Sequence, residues 1–298
     1  MSILIDSTTH MVIQGLTGKE GLKSALSLRD YKTHVAGGVT PGKGGTTVEG
    51  FPIYHTVAEA RTAHPEINTS VLYVPPSAVF DAAVEAIEAG ISLIVIVTEL
   101  VPLRDTSRLL GIARYRNVRV VGPSSVGIIT PGKAKLGSIG GFTPTRAFQP
   151  GPVGIISKSG GMCSEISHML SHENIGQSTV IGIGGDRIIG TTFADLLPLF
   201  EKDPATKLVV MYGEIGGTYE EDAAKVVAQG EYTKPLVACI SGLFAETVPQ
   251  GISLGHAGAM IQENEGKRSS KVSALQQVGA HVVDVLDQIP DVCKKLLT

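Results

Sequence analysis

HMVIQGLTGKEGLKSALSLR, residues 10–29, decides the fold of the N-terminal half of the chain. The run His10–Gln14 centres on Met, Val and Ile without polar alternation, as in a parallel strand that is buried on both faces. A glycine-containing turn follows, and Glu20–Arg29 then has the spacing of an amphipathic helix. A strand, a tight turn and a helix in this order predict one unit of an α/β fold.

The same unit repeats along the chain in two series, separated by a Gly- and Pro-rich stretch at 122–152. We therefore predict two α/β domains with doubly wound sheets, at 1–125 and 153–298, joined by a linker at 126–152. The predicted strands are His10–Gln14, Thr33–Gly37, Ser70–Val74, Leu93–Thr98, Val118–Val121, Val153–Ser157, Thr179–Ile183, Leu208–Met211, Leu236–Ile240 and His281–Val283, and the predicted helices are Glu20–Arg29, Thr56–Ala63, Ala78–Ala89, Asp105–Tyr115, Met162–His172, Phe193–Phe200, Tyr219–Gln229, Ser269–Gln277 and Ile289–Leu297.

Composition excludes several classes of protein. Aromatic residues make up 5% of the 298 residues, there is no Trp, and the formal net charge is -3, which argues against nucleic acid or an anionic membrane as the main partner. Apolar runs such as 93–97 are too short to span a membrane, and the N-terminus has no basic region typical of a signal peptide. Cys163, Cys239 and Cys293 form neither a zinc pattern nor a disulfide framework. The sequence predicts a cytoplasmic protein without a metal site.

Two glycine-rich stretches in the first half are candidate phosphate sites. QGLTGKEG, residues 14–21, joins the first strand to the first helix, where backbone N–H groups and the helix N-terminus can hold an anion. Its spacing differs from the dinucleotide fingerprint, so a plain tight turn is the alternative. GGVTPGKG, residues 37–44, fails as a P-loop because Gly44 replaces the hydroxyl residue, but Lys43 can still meet a phosphate as a point charge. A solvated surface lysine is the alternative.

Two stretches in the second half place polar groups at the ends of predicted strands. SKSGGMCSE, residues 157–165, opens a helix with Ser159 as N-cap and two glycines that leave the first amides uncovered, so it is either an anion site or an ordinary cap. YGEIGG, residues 212–217, places Glu214 at a strand C-terminus, where open α/β sheets bind ligands. An exposed, solvated glutamate is the alternative.

GISLGHAGAM, residues 251–260, surrounds a single imidazole with small residues. Small neighbours let a bulky group reach His256, and an imidazole nitrogen can act as a nucleophile that carries a covalent group. A carboxylate on the other ring nitrogen fixes the tautomer, and Glu214 is the candidate for that role. A lone histidine is more often structural than catalytic, so this alternative stays open on the residues alone.

Seven stretches, GLTGKEG, GGVTPGKGG, VTE, SKSGG, IGIGGD, GEIGG and GHAGA, together resemble the α subunit of succinyl-CoA synthetase over nearly the whole chain. The resemblance implies a Rossmann-like CoA-binding domain followed by a flavodoxin-like ligase domain with a phosphohistidine at His256, assisted by Glu214. It also implies an ATP-grasp β-type subunit that binds ATP or GTP with Mg. The CoA-binding residues that it implies are Thr17, Gly18, Lys19, Glu20, Lys43, Val97, Thr98 and Glu99.

Departures from that pattern resemble ATP-citrate lyase and the small subunit of citryl-CoA synthetase. They are PSSVG at 123–127, SGGMCSE at 159–165 and GGDR at 184–187. Arg187 adds a bidentate carboxylate donor, with a surface salt bridge as the alternative. We therefore predict an acid–CoA ligase that makes citryl-CoA; succinyl-CoA or malyl-CoA is the rival product, and a non-catalytic CoA-binding regulator is the rival class. The residues expected to border the acid and its phosphate are Ser159, Gly160, Gly161 and Ser164.

Overall fold

A computed structural model describes residues 2–244, 256–260 and 266–298. Its first sheet is parallel except at one edge, where the short strand β3 runs antiparallel to β4. The strands of this sheet are β1 His10–Gln14, β2 His34–Val39, β3 Thr47–Val48, β4 Phe51–Tyr54, β5 Thr69–Leu72, β6 Leu93–Ile96 and β7 Arg119–Val121, and its helices are α1 Lys19–Asp30, α2 Val57–Ala63, α3 Val79–Glu88 and α4 Leu103–Tyr115.

The strand order β3-β4-β2-β1-β5-β6-β7 contains the Rossmann arrangement, with β1 at the centre. From β1 the chain continues to β2 on one side, and from β5 it continues to β6 on the other side. The gap between the carboxyl ends of β1 and β5 is therefore a topological switch point. Open α/β sheets bind ligands in the crevice at that point. The sequence prediction of a Rossmann-like first domain is confirmed.

The second sheet has a parallel centre and an antiparallel hairpin on one side. Its strands are β8 Gly127–Thr130, β9 Ala134–Gly137, β10 Pro150–Ser157, β11 Gln177–Gly182, β12 Leu208–Gly213, β13 Leu236–Ile240 and β14 His281–Val283, and its helices are α5 Gly160–His172, α6 Phe193–Lys202, α7 Tyr219–Ala228, α8 Arg268–Gln277 and α9 Ile289–Leu297. The order β14-β13-β12-β10-β11-β8-β9 contains the flavodoxin arrangement, with its switch point between β10 and β12. The flavodoxin-like prediction is confirmed as well.

The segment predicted as a linker, 126–152, contains regular structure. β8 pairs antiparallel with β11 and with β9, so this stretch extends the second sheet. The Gly-rich composition indicated a loop, but Gly127 has φ +111° and a Cβ there would lie 2.0 Å from the Leu136 carbonyl oxygen. Glycine here serves a close approach of two strands. The short strands β3 and β4 were also not predicted.

Contacts between α1 and β9 join the two halves. Lys135 on β9 is fully buried, and its Nζ donates to Ser27 Oγ on α1 and to the Gly141 carbonyl, both at 2.7 Å. Burial lowers the pKa of the Lys135 ammonium to about 8. Ser24 Oγ donates to the Gly137 carbonyl at 3.1 Å. These bonds connect helix α1 of the first half to strand β9 of the second sheet. None of the helices within the described ranges has the length and apolarity to cross a bilayer.

Candidate functional site

The first sheet has a cavity of about 850 Å³ at its switch point. Gly15 forms its floor after β1, with φ +85° and the Tyr73 carbonyl oxygen 2.9 Å from where a Cβ would lie, so only glycine fits without strain. The cavity is large enough for a nucleotide-sized ligand. It is lined by Gln14, Gly15, Gly18, Val39, Thr40, Pro41, Tyr73, Val74, Pro75, Ala78, Asp81, Ala82 and Glu85.

Three of the residues predicted for the first domain meet at the rim of this cavity. Lys43 Nζ donates to Thr17 Oγ1 at 3.3 Å, and Thr17 Oγ1 lies 3.2 Å from Thr40 Oγ1. Gly18 is the N-cap of α1 and lines the cavity. Lys19 and Glu20 lie in the exposed first turn of α1. An ammonium and a helix N-terminus side by side can hold an anionic group.

Sequence reasoning missed the apolar wall of this cavity. Val39 and Pro41 lie at and beyond the end of β2, and Tyr73 and Val74 follow β5. Their position directly after the two strands that flank β1 was the available signal, because the carboxyl ends of parallel strands share one edge. A flat apolar wall beside a charged rim suits a ligand with both an aromatic and an anionic part.

A second cavity of about 460 Å³ lies between the two halves. Val97 and Glu99, predicted for the first domain's ligand, line this second cavity, whereas Thr98 donates its hydroxyl to the Val74 carbonyl at 2.7 Å beside the first cavity. The segment after β6 therefore joins the two cavities. The lining residues are Val97, Glu99, Leu100, Ser124, Ser125, Val126, Ser138, Lys158, Ser159, Gly160, Gly161, Gly185, Asp186, His256 and Ala257.

The start of α5 opens into the second cavity. Ser159 is its N-cap and its side chain makes no capping hydrogen bond, so first-turn N–H groups of a 13-residue helix stay available. A Cβ on Gly161 would meet only Ser159 Oγ at 3.9 Å, whereas one on Gly160 would lie 2.8 Å from Val126 Cβ. Gly161 thus leaves space for a ligand. Ser164, half-buried on the next turn, is not part of the described lining.

His256 and Glu214 make direct contact at this cavity. His256 Nδ1 lies 2.7 Å from Glu214 Oε2, and the Glu214 side chain is 9% exposed. Glu214 follows β12, at the second switch point. The hydrogen bond to Glu214 raises the pKa of the His256 ring, against the opposing effect of burial. A carboxylate on Nδ1 directs the Nε2 lone pair away from Glu214, which suits a nucleophile.

A buried lysine that sequence reasoning missed lies behind Glu214. Lys158 directly follows β10, and its Nζ lies 3.5 Å from Glu214 Oε1 and 3.9 Å from Glu220 Oε1. Its side chain is 1% exposed. Its position beside Ser159, at the end of a strand, could have indicated a role in the site. It was missed because lysine side chains are mostly exposed at protein surfaces. The pair Lys158 and Glu214 sits across the switch point between β10 and β12.

Main-chain contacts hold the described part of the histidine segment. Gly258 N donates to the Gly185 carbonyl at 2.9 Å, and a Cβ on Gly185 would lie 2.5 Å from His256 Cγ. Gly216, with φ +88°, approaches the Gly258 carbonyl closely. Gly185 of the GGD stretch therefore packs against the imidazole ring, and Gly216 of the GEIGG stretch packs against the main chain that follows it. Residues 251–255 of the quoted GISLGHAGAM stretch lie outside the described residues.

Acidic groups also face the cavity. Asp186 accepts from Ser124 Oγ at 2.6 Å, and burial raises the pKa of its carboxyl group. Glu99 lies on the same wall. Arg187, a candidate carboxylate donor, lines a separate neighbouring cavity of about 360 Å³ together with Lys158. Among the described residues that line the second cavity, Lys158 is the single lysine or arginine.

The chain matches two sequence families, described as CoA binding domain over residues 6–100 and CoA-ligase over residues 156–281. It is 42% identical over 299 residues to the α subunit of an ADP-forming succinate–CoA ligase from Aquifex aeolicus, covering 100% of this chain and 95% of that protein. It is also 42% identical over 284 residues to the ADP-forming sulfoacetate-CoA ligase subunit SqwL from Acholeplasma sp, covering 95% of this chain and 94% of that subunit.

Among solved structures, ATP citrate lyase from Methanosaeta concilii in complex with (3S)-citryl-CoA superposes with a TM-score of 0.91 at 27% identity. The match covers 99% of this chain and 50% of that one, so the chain spans about half the length of that citrate lyase. The two families match the two halves of the fold, and the second includes Lys158, Glu214 and His256.

Proposed function

The chain belongs to the ADP-forming acid–CoA ligases, as an α-type subunit similar to those of succinate–CoA ligases, and on this premise we propose that it makes succinyl-CoA through a phosphohistidine at His256. The contact that carries the proposal is the 2.7 Å hydrogen bond between His256 Nδ1 and Glu214. It leaves Nε2 as the nucleophilic nitrogen of a ring that lines the same cavity as the N-terminus of α5.

The proposed reaction divides one difficult step into easier ones. His256 Nε2 attacks the γ-phosphoryl group of ATP or GTP, which a β-type ATP-grasp subunit holds with Mg, and the nucleoside diphosphate leaves. The phosphoryl group then passes from Nε2 to a carboxylate oxygen of the acid. The CoA thiolate attacks that acyl phosphate, the thioester C–S bond forms and inorganic phosphate leaves. First-turn N–H groups after Ser159 stabilise the phosphoryl oxygens by about 0.3–1 kcal/mol.

The cavity of the first sheet is the proposed CoA site. Tyr73, Val74 and Pro41 offer an apolar wall to the adenine, and Thr17, Gly18 and Lys43 offer donors to its phosphates. Val97 and Glu99 continue the path towards His256 in the second cavity. The thiol end of CoA would reach the phosphorylated acid along this path, because the segment after β6 borders both cavities.

Lys43→Ala is expected to weaken CoA binding about two- to fivefold, since an exposed ion pair contributes about 0.2–1 kcal/mol. Calorimetric titration at low salt, where screening is weak, measures the effect. Lys207→Ala removes an exposed lysine outside both cavities and serves as the matched control. An unchanged CoA dissociation constant for Lys43→Ala contradicts the placement of the phosphates.

The sequence pattern and the relatives point to different acids. Citrate was preferred from the sequence, and this preference is not confirmed; relatives 42% identical include succinate–CoA ligase subunits. In the described lining, Lys158 already contacts Glu214 and Glu220, and Glu99 and Asp186 face the same space. A tricarboxylate would therefore meet little positive charge from the described residues that line this cavity. Citrate remains the second candidate because of the SGGM stretch at 159–162 and the likeness to ATP citrate lyase.

Substrate assays with the subunit pair separate these candidates. The chain, co-purified with its β-type partner, is expected to form thioester from succinate with the highest kcat/KM among succinate, citrate, malate and sulfoacetate. The chain alone, incubated with ATP, is expected to give none. A higher kcat/KM for citrate would favour the second candidate. Tight CoA binding without thioester from any acid would favour a non-catalytic CoA-binding regulator.

A further inference from the structure

Four buried charges form a chain behind His256. Glu220 and Lys271 are both fully buried and ion-paired, and Lys271 Nζ also lies 3.2 Å from Glu221. Glu220 Oε1 accepts the Glu214 backbone N–H at 3.1 Å. Lys158 and Glu214 lie beside this pair, with 3.5 Å between Lys158 Nζ and Glu214 Oε1. Buried charges require compensation. Lys271 compensates Glu220, and Lys158 lies closer to Glu214 Oε1, at 3.5 Å, than to Glu220 Oε1, at 3.9 Å, so Lys158 is the counter-charge of Glu214.

The two oxygens of Glu214 have different partners. Oε2 lies 2.7 Å from His256 Nδ1. Oε1 is buried without a hydrogen bond, and its charged neighbour is the Lys158 ammonium. Tyr219 covers the other side of that ammonium, with Nζ 5.7 Å from the ring centre. Lys158 is thus enclosed and aimed at the carboxylate that orients the histidine.

Without Lys158, negative charge would dominate around the imidazole. The carboxylates that face it are Glu214 after β12, Glu99 after β6 and Asp186 after β11. Each of these favours a proton on the ring. A doubly protonated imidazolium has no lone pair on Nε2 and cannot attack a phosphoryl group.

We propose that Lys158 is a positioning residue for phosphorylation of His256: its buried ammonium balances the Glu214 carboxylate, so that the ring stays neutral and keeps the Nε2 lone pair. The proposal rests on the phosphohistidine function proposed above. It assigns Lys158 no contact with the substrate. It explains why a lysine is buried at the switch point beside a carboxylate oxygen that has no hydrogen-bond donor in the described structure.

The test measures phosphorylation of His256 against pH in the purified α/β complex, in single turnovers with γ-labelled ATP. In Lys158→Met the acid limb of the rate is expected to move about 1 pH unit upward, because Lys158 lowers the pKa of the His256 ring and its removal favours the protonated imidazole. The rate at pH 7 then falls, and it recovers towards pH 9. Lys158→Arg keeps the charge and is expected to restore the wild-type limb.

Two further variants separate charge from packing. Lys158→Gln keeps a polar side chain beside Glu214 Oε1 without the charge. It is expected to shift the acid limb as Lys158→Met does, and it replaces Lys158→Met if that variant does not fold. Lys135→Met removes another buried ammonium, one that contacts Ser27 and Gly141 and no carboxylate. It is the matched control, expected to change thermal stability and leave the limb in place.

Direct NMR titration of the His256 ring, assigned with His256→Asn, gives a readout that does not depend on turnover. The inference would be overturned if Lys158→Met and Lys158→Gln had the same acid limb of the phosphorylation rate and the same ring titration as wild type. This holds even if phosphohistidine forms normally. Absence of base-stable phosphohistidine in the wild-type complex would instead overturn the proposed function. The two failures are therefore distinct.

Discussion

His256→Asn is expected to reduce thioester formation at least about a thousandfold, the scale seen when an enzyme loses its covalent nucleophile. Asparagine has similar bulk and its amide can still donate to Glu214. Its nitrogen has no available lone pair, so no phosphoryl group can be carried. Steady-state assays of the α/β complex with succinate, CoA and ATP measure the loss, and incubation with γ-labelled ATP tests for label on the α subunit.

The fold and the CoA site are expected to be unaffected by this change. His256 is half-exposed and its ring rests on Gly185 without filling the core. The variant should therefore bind CoA with the wild-type dissociation constant and melt at the wild-type temperature. His168→Asn, at an exposed histidine on α5, is the matched control and should keep full activity. Thioester formation by His256→Asn at an appreciable rate would disprove a phosphohistidine pathway.

The sheet architecture could be predicted from the sequence because several of the parallel strands, such as β6 Leu93–Ile96 and β13 Leu236–Ile240, are unbroken apolar runs. β1, β13 and β14 begin and end at the predicted residues, as does α9. Buried parallel strands combine high hydrophobicity with short length, and amphipathic helices separate them. The hairpin of β8 and β9 could not be predicted this way, because Gly127 and Gly137 give a sequence typical of a loop.

Some residues of the candidate site could likewise be predicted from the sequence, and others could not. The contact of His256 with Glu214 could be predicted because each occurs in a stretch with a clear chemical signature, and the structure places them together. Lys158 could not, since its burial depends on Glu220 and Lys271, residues far along the chain. Long-range charge compensation leaves no local pattern. The apolar wall around Tyr73 was missed because its residues have no distinctive sequence pattern. They form a wall only where the ends of two strands come together in the fold.

Glu214→Gln is expected to slow phosphorylation of His256 about a thousandfold to ten-thousandfold, the scale for replacing a histidine-orienting carboxylate by its amide. Glutamine has the same shape, but its NH2 group can face Nδ1 and thereby place the proton on Nε2, which removes the nucleophilic lone pair. The lost charge also changes the pH dependence. Glu214 raises the pKa of His256, so its neutral replacement lowers that pKa.

The acid limb in Glu214→Gln should therefore move to lower pH, opposite to the shift expected for Lys158→Met. Single-turnover labelling of the α/β complex from about pH 5.5 to about pH 9, a range that includes the ordinary histidine pKa, measures both the rate and the position of the acid limb. Glu173→Gln, at an exposed glutamate paired with Lys294, is the matched control. A limb that moves upward, or a rate within about tenfold of wild type, would mean that Glu214 neither fixes the tautomer nor holds charge against the ring. Opposite shifts from the two variants would instead show that one carboxylate and one ammonium, at neighbouring strand ends, together set the protonation state of His256.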